Sequence, residues 1–184
     1  MFASDNVLGA DNQQERLGPY LAGHVDGEGS FHVGIQKSRN VSIGYQMVPE
    51  FHVSQNSERS KVLRILKETL GCGYIKPNHR SKDNDKTDVF VVRNRRELLT
   101  RVIPFFESNP MLSPKQEDFE KFSTVVKAMD EGKHLEKSSL IKLMRIAFSM
   151  NGNGRYRKFD ILEIEKDLES SETIRQSPGI PDKI

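Results

Sequence analysis

The chain has 184 residues, of which 35% are apolar and 29% charged; this is enough for one soluble domain with a sizeable core. Its net charge of +2 and isoelectric point near 8.6 exclude a strongly basic protein, so bulk charge alone does not point to nucleic acid. One cysteine, Cys72, excludes an intramolecular disulfide and a cysteine-cluster zinc site, and suits a reducing compartment.

Residues 1–13 are polar and small, and a flexible segment is expected there. Met1 to Arg16 has neither the basic nor the apolar region of a secretory signal. No apolar run approaches the ~20 residues of a membrane span, so a soluble intracellular protein is expected. Residues 14–169 read as a single domain with a C-terminal helical extension, and 170–184 as a flexible tail.

Leu17, Tyr20, Leu21 and Val25 recur at helical spacing, which predicts a helix over about 14–26, with Pro19 in its first turns. Gly27 and Gly29 are expected to end it. Two strands follow. Phe31, Val33 and Ile35 alternate with His32, Gly34 and Gln36; after a turn near Arg39, Tyr45, Met47, Pro49, Phe51 and Val53 alternate with Gln46, Val48, Glu50, His52 and Ser54. Period-two alternation gives one buried face and one open face. Pro49 suggests a bulge or a free strand edge.

A second helix is expected over 58–70, stopped by Gly71. A second hairpin follows, with strands at 73–76 and 88–92 and a long polar loop between them. Helices are then predicted over 95–106, 114–129, 138–150 and 159–169. The order helix, hairpin, helix, hairpin, helices implies a four-stranded antiparallel sheet with helices on one side, an α+β fold.

Charge is unevenly spread. Lys133 to Phe159 holds seven Lys/Arg against one acid, a net +6, whereas Asp160 to Ile184 holds seven acids against three bases, a net −4. The acidic end therefore hides a basic segment in the total. Within that segment the run Asn151-Gly152-Asn153-Gly154-Arg155-Tyr156-Arg157-Lys158 combines glycines with cations. Arg155, Arg157 and Lys158 are candidates for phosphate contact. His79 and His134 have no metal-ligand spacing.

The most informative stretch is Leu21-Ala22-Gly23-His24-Val25-Asp26-Gly27-Glu28-Gly29. It resembles the signature of the LAGLIDADG homing endonucleases. Leu21, Ala22, Gly23, Asp26 and Gly29 match in place; Val25 supplies an aliphatic residue and Glu28 the second acid. His24 replaces the usual bulky apolar residue and Gly27 replaces alanine. The motif occurs once. The αββαββα element order of that family agrees with the order read above over roughly 14–130.

The resemblance implies a site-specific DNA endonuclease acting as a homodimer. In that family the second acid, here Glu28, binds the metal, and the Gly27 carbonyl could also ligate. Mg²⁺ is the implied cofactor, with Mn²⁺ able to substitute and Ca²⁺ supporting binding without cleavage. Carboxylate-held Mg²⁺ supplies a nucleophile near neutral pH and neutralises charge on the phosphate. One motif carries one such acid, so the resemblance implies two motif helices packed about a two-fold axis, with Gly18, Ala22 and Gly23 permitting close approach. Asp26 is read as supporting the helix ends rather than binding metal. Gln55, ending Phe51-His52-Val53-Ser54-Gln55, and Lys115, in Pro114-Lys115-Gln116, match the family's glutamine and lysine beside the metals; Arg59 is a further candidate for that network.

The open sheet face would read double-stranded DNA through His32, Gln36, Ser38, Gln46, Glu50, His52 and Ser54, joined from the second hairpin by Tyr74, Lys76, Asn78, Arg80 and Asp88. Family members cut a long, nearly palindromic site across the minor groove and leave 3′ overhangs. They are encoded by mobile introns, whose insertion the cut promotes. Two alternatives share the fold: an intron RNA maturase, and a DNA-binding regulator without cleavage.

Overall fold

The computed structural model describes residues 8–78, 86–152 and 159–176. Helix α1 (Leu8–Glu28) leads straight into β1 (Gly29–Lys37) and β2 (Tyr45–Asn56). A 3₁₀ turn and α2 (Lys61–Leu70) connect to β3 (Tyr74–Pro77) and β4 (Thr87–Val92). Then come α3 (Arg95–Glu97), a π turn (Leu98–Val102), α4 (Ile103–Ser108), α5 (Lys115–Asp130), α6 (Lys137–Phe148) and α7 (Ile161–Gln176). The four strands form one antiparallel sheet in the order β1-β2-β4-β3.

β2 is the long central strand. It pairs with β1 over Tyr45 to Val53 and with β4 over Phe51 to Asn56. Pro49 therefore lies opposite Val33, before β4 pairing begins at Phe51. On that flank a missing N–H removes no ladder bond, which is why a proline is tolerated within a twelve-residue strand.

One face of the sheet carries Phe31, Val33, Met47, Phe51, Val53, Phe90 and Val92 into a core completed by α1, α2, α5 and α6. Phe31 is its hub: its ring stacks on Phe51 at 5.0 Å and meets Phe106, Phe119 and Phe122 at 5.2–5.4 Å. Such ring pairs add about 0.5–1.5 kcal/mol each beyond area burial. α2 buries Val62, Leu63, Leu66 and Leu70 and ends at Gly71, whose φ of 64° favours glycine.

Several predicted boundaries change; α7, for one, runs to Gln176 rather than ending at 169. α1 begins well before residue 14 and runs through Gly27 to Glu28, so Gly27 does not end the helix, and Pro19 sits inside it rather than in its first turns. Gly29 is the true junction. A Cβ there would approach Val25 Cγ1 to 2.6 Å and the Val25 carbonyl to 2.8 Å. The helix predicted over 95–106 contains a π turn, closed by Ile103 N–H donating to the Leu98 carbonyl. Pro104 lacks the N–H that a regular α-turn needs there.

Candidate functional site

The motif places two acids in different settings. Asp26, in the last turn of α1, accepts from the backbone N–H of Ser113 at 3.0 Å and of Leu112 at 3.2 Å, and from the Ser113 hydroxyl. It thereby ties the end of α1 to the segment entering α5. Burial would raise its pKa, but the Ser113 and Leu112 hydrogen bonds and nearby Lys115 bring it below the ordinary aspartate value. Glu28 is the exposed last residue of the helix.

Lys115, the first residue of α5, reaches back to the same junction. Its Nζ donates to the carbonyls of Val25 at 3.0 Å and Gly29 at 2.6 Å. Burial lowers its pKa, opposed by the charges of Asp26, Glu28 and Asp118. An ammonium is thus held beside the acidic end of α1 by backbone carbonyls. Gln55, next to the last residue of the central strand β2, accepts from Asn56 N–H at 2.8 Å and pairs in register with Asp88. Arg59 is exposed in the 3₁₀ turn that follows β2.

Among the described residues no group of three or more His, Cys, Asp or Glu side chains could hold a metal. Glu28 and the Gly27 carbonyl offer hard oxygen donors of the kind Mg²⁺ takes, and that ion typically binds one or two carboxylates and completes its shell with water and substrate phosphate. The donor set therefore fits, as part of a site that needs further oxygen atoms from outside one chain.

The outward stripe of α1 differs from the expected one. Ala22 is 2% exposed and belongs to the core with Leu21 and Val25. A Cβ on Gly18 would clash with the Asn109 side chain. Both residues share the inner stripe of the helix and so are corrected as candidates for contact between copies: small size suggested close approach, but helical period turns them inward. Gly23 and Gly27 face open space, flanked by Tyr20 at 60% exposure.

Strand register fixes the open face. His32 pairs with Glu50, Gln36 with Gln46, and His52 with Val91. Ser54 pairs with Val89, itself the partner of Lys76, while Val91 is the partner of Tyr74. These residues form one face, opposite the core. Ser38 follows β1, where its N–H closes the hairpin on the Gly44 carbonyl at 2.9 Å, and Asn78 follows β3, donating to the Thr87 carbonyl at 2.8 Å. Asp88 is a correction: it shares the parity of Phe90 and Val92 and lies with Gln55 and Pro77 on the other face. The run Val89 to Val92 is buried throughout, so alternation could not reveal the register.

Glu50 does not stand alone on that face. Its carboxylate accepts from Arg93 Nε, and His52 Nδ1 lies 3.2 Å away. The His52 contact and the Arg93 pair, against the opposing effect of burial, hold its pKa down at about 2. Sequence reasoning missed Arg93, which continues the parity of Val89 and Val91 one step beyond β4. Arg80, Arg155, Arg157 and Lys158 lie outside the described residues. Asn151 stands at the threshold of that basic run, its Nδ2 on the Phe31 carbonyl at 2.8 Å and its N–H on Asp118 at 3.1 Å. No helix among the described residues is long and apolar enough to cross a membrane.

Comparison with known proteins gives consistent similarities. A family model described as LAGLIDADG endonuclease matches residues 21–126. "Probable intron-encoded endonuclease 3" of Neurospora crassa is 28% identical over 142 residues, covering 76% of this chain and 26% of that protein. The solved structure of the homing endonuclease I-TnaI superposes with a TM-score of 0.69 at 35% identity, covering 83% of this chain and 96% of that one. An archaeal intron-encoded homing endonuclease solved in complex with DNA gives a TM-score of 0.76 at 28% identity, covering 88% and 99%. The chain spans between 26% and 39% of the length of three curated relatives that it matches.

Proposed function

The chain belongs to the LAGLIDADG endonuclease family, and from that premise we propose that it is a site-specific DNA endonuclease that works as a homodimer and hydrolyses both strands of a long, near-palindromic site. The observation that carries this reading is the junction at Gly29. An exposed carboxylate, Glu28, ends the helix, and an ammonium, Lys115, is held on the same turn. A fold alone does not assign a function; the pairing of an exposed acid with a lysine held at the same junction is what favours cleavage over binding alone.

Glu28 and the Gly27 carbonyl would hold Mg²⁺, and Mn²⁺ in its place; Ca²⁺ would support binding alone. When bound, the metal supplies Lewis-acid charge for phosphodiester hydrolysis. The chain's own residues do the rest. Asp26 fixes the angle between α1 and α5 and so keeps Glu28 at the sheet's edge. Lys115 places positive charge beside the scissile phosphate and orients water there together with Gln55. His32, Gln36, Gln46, His52, Ser54, Tyr74 and Lys76 present donors and acceptors along one face, where base edges of a major groove would lie. Two copies meeting along the open stripe of Gly23 and Gly27 would double that face and bring two Glu28 residues together. Cutting of an intron-free allele, and thus intron mobility, is the biological role this activity would serve.

The test is cleavage of a large randomised duplex library in Mg²⁺, with the ends sequenced, using wild type beside Glu28→Gln. Discrete cuts with 3′ overhangs at one near-palindromic sequence, absent in the variant, support the reading. A folded wild-type dimer that cuts nothing overturns it and favours an RNA maturase or a binding-only regulator on the same fold.

A further inference from the structure

We propose that Arg93 reads a guanine in each half-site and that Glu50 is its positioning residue rather than a base reader itself. The inference rests on the DNA-binding reading above. Arg93 follows β4 on the open-face parity of Val89 and Val91, and its side chain is 53% exposed, whereas the Glu50 side chain beneath it is 18% exposed. Arg93, Glu50, His32, Gln36, Gly34 and Val48 border a concavity of about 360 Å³ on that face. Gly34 and Val48 sit opposite each other in register, so its floor is low and apolar.

The contact chemistry decides what Arg93 can do. Glu50 takes the Nε–H, and among the described residues the guanidinium has no other hydrogen-bond partner. Nη1 and Nη2 remain as a planar fork. A guanine offers two adjacent acceptors, O6 and N7, to such a fork; adenine and cytosine each present a donor that would oppose it. The charge of Arg93 is already matched by a sunken carboxylate, which weakens its pull on backbone phosphate but leaves its donors intact. Held at Nε, the fork also loses less rotamer freedom on binding. The Glu50 carboxylate is mostly buried, with one oxygen toward Arg93 and the other toward His52, whereas the Arg93 fork is exposed; Glu50 is therefore assigned to the support.

The test uses randomised duplex DNA selected by binding in Ca²⁺, with wild type, Arg93→Met, Glu50→Gln and the double variant. Wild type is expected to select a guanine at one symmetric pair of positions. Arg93→Met should lose that preference by on the order of tenfold to a hundredfold while the other positions stay as they were, which also shows that the variant is folded. Glu50→Gln should weaken the same positions only, and the double variant should be no worse than Arg93→Met. An unchanged preference in Arg93→Met overturns the proposal. So does an equal affinity loss for all sequences, which would mark a phosphate contact. If wild type itself selects no sequence, it is the DNA-reading function that fails, and this inference falls with it.

Discussion

Lys115 Nζ donates to the backbone carbonyl of Gly29 at 2.6 Å, so the first residue of α5 grips the first residue of β1 across 86 positions of sequence. A second bond to the Val25 carbonyl draws in the last turn of α1. The ammonium therefore has a structural anchor as well as a place beside Glu28, whose charge favours its protonated form.

Both roles can be separated by Lys115→Met, which keeps the apolar stem and removes the donors. Cleavage is expected to fall by roughly a hundredfold, the scale of a positioned proton-transfer or water-orienting group. Stability should fall by about 1–3 kcal/mol, because two backbone carbonyls lose a charged donor. Single-turnover cleavage and urea melts measure the two effects. Wild-type cleavage by the variant would remove Lys115 from the active site.

The two acids of the motif should respond in opposite ways to loss of charge. Asp26→Asn weakens three hydrogen bonds to the Leu112–Ser113 segment and is expected to cost about 1–3 kcal/mol in a thermal or urea melt. Glu28→Gln touches an exposed helix end and should leave the melt within about 0.5 kcal/mol of wild type while abolishing cleavage. A large stability loss for Glu28→Gln, with none for Asp26→Asn, would reverse these assignments.

The element order and the special acids were legible because they depend on local pattern: helical spacing to Val25, alternation through Val53, and a nine-residue run of distinctive composition. What depended on contacts between distant residues was not. Nothing in the neighbourhood of Ser113 announces that its N–H and hydroxyl close on Asp26, 87 residues earlier. Small size alone suggests Gly18 and Ala22 for contact between copies, but helical phase turns them inward with Leu21 and Val25. β4 defeats alternation because both its faces are buried, so the pattern reveals neither that Asp88 lies on the core side nor that Arg93 continues the open face.

Glu50 gives a pH dependence whose sign follows from its depressed pKa. In the unfolded chain its carboxyl takes up a proton near 4.5, but in the fold the His52 contact and the Arg93 pair hold it ionised to about 2. Between these values the unfolded state binds more protons. The stabilisation from this group is complete above about 4.5 and is lost as pH falls toward 2. The stability difference between wild type and Glu50→Gln should therefore shrink across that interval in acid titrations of urea midpoints. A difference that stays constant with pH would mean that the ion pair does not form in solution.

His24 occupies a position where the family carries a bulky apolar residue, and its environment shows what the exchange costs. Its Nε2 is buried with no hydrogen-bond partner among the described residues. Burial lowers its pKa, only partly offset by the charge of Glu28. Replacing it with an apolar side chain of similar bulk removes an unsatisfied polar atom, so His24→Phe is expected to stabilise the fold by about 1–2 kcal/mol. The pH profile provides a second, independent reading. A histidine whose pKa is lowered by folding adds stability that is fully present above 6.5 and lost as pH falls below it, since the unfolded chain then binds the proton more readily. Wild type should thus lose stability between pH 7.5 and 5.5 in a way that His24→Phe does not, and the gain from the substitution should grow toward the acid end. Melting both proteins across that range decides the matter: a destabilised variant, or one with the wild-type slope, would show that His24 is satisfied in solution by a partner such as water or a second chain.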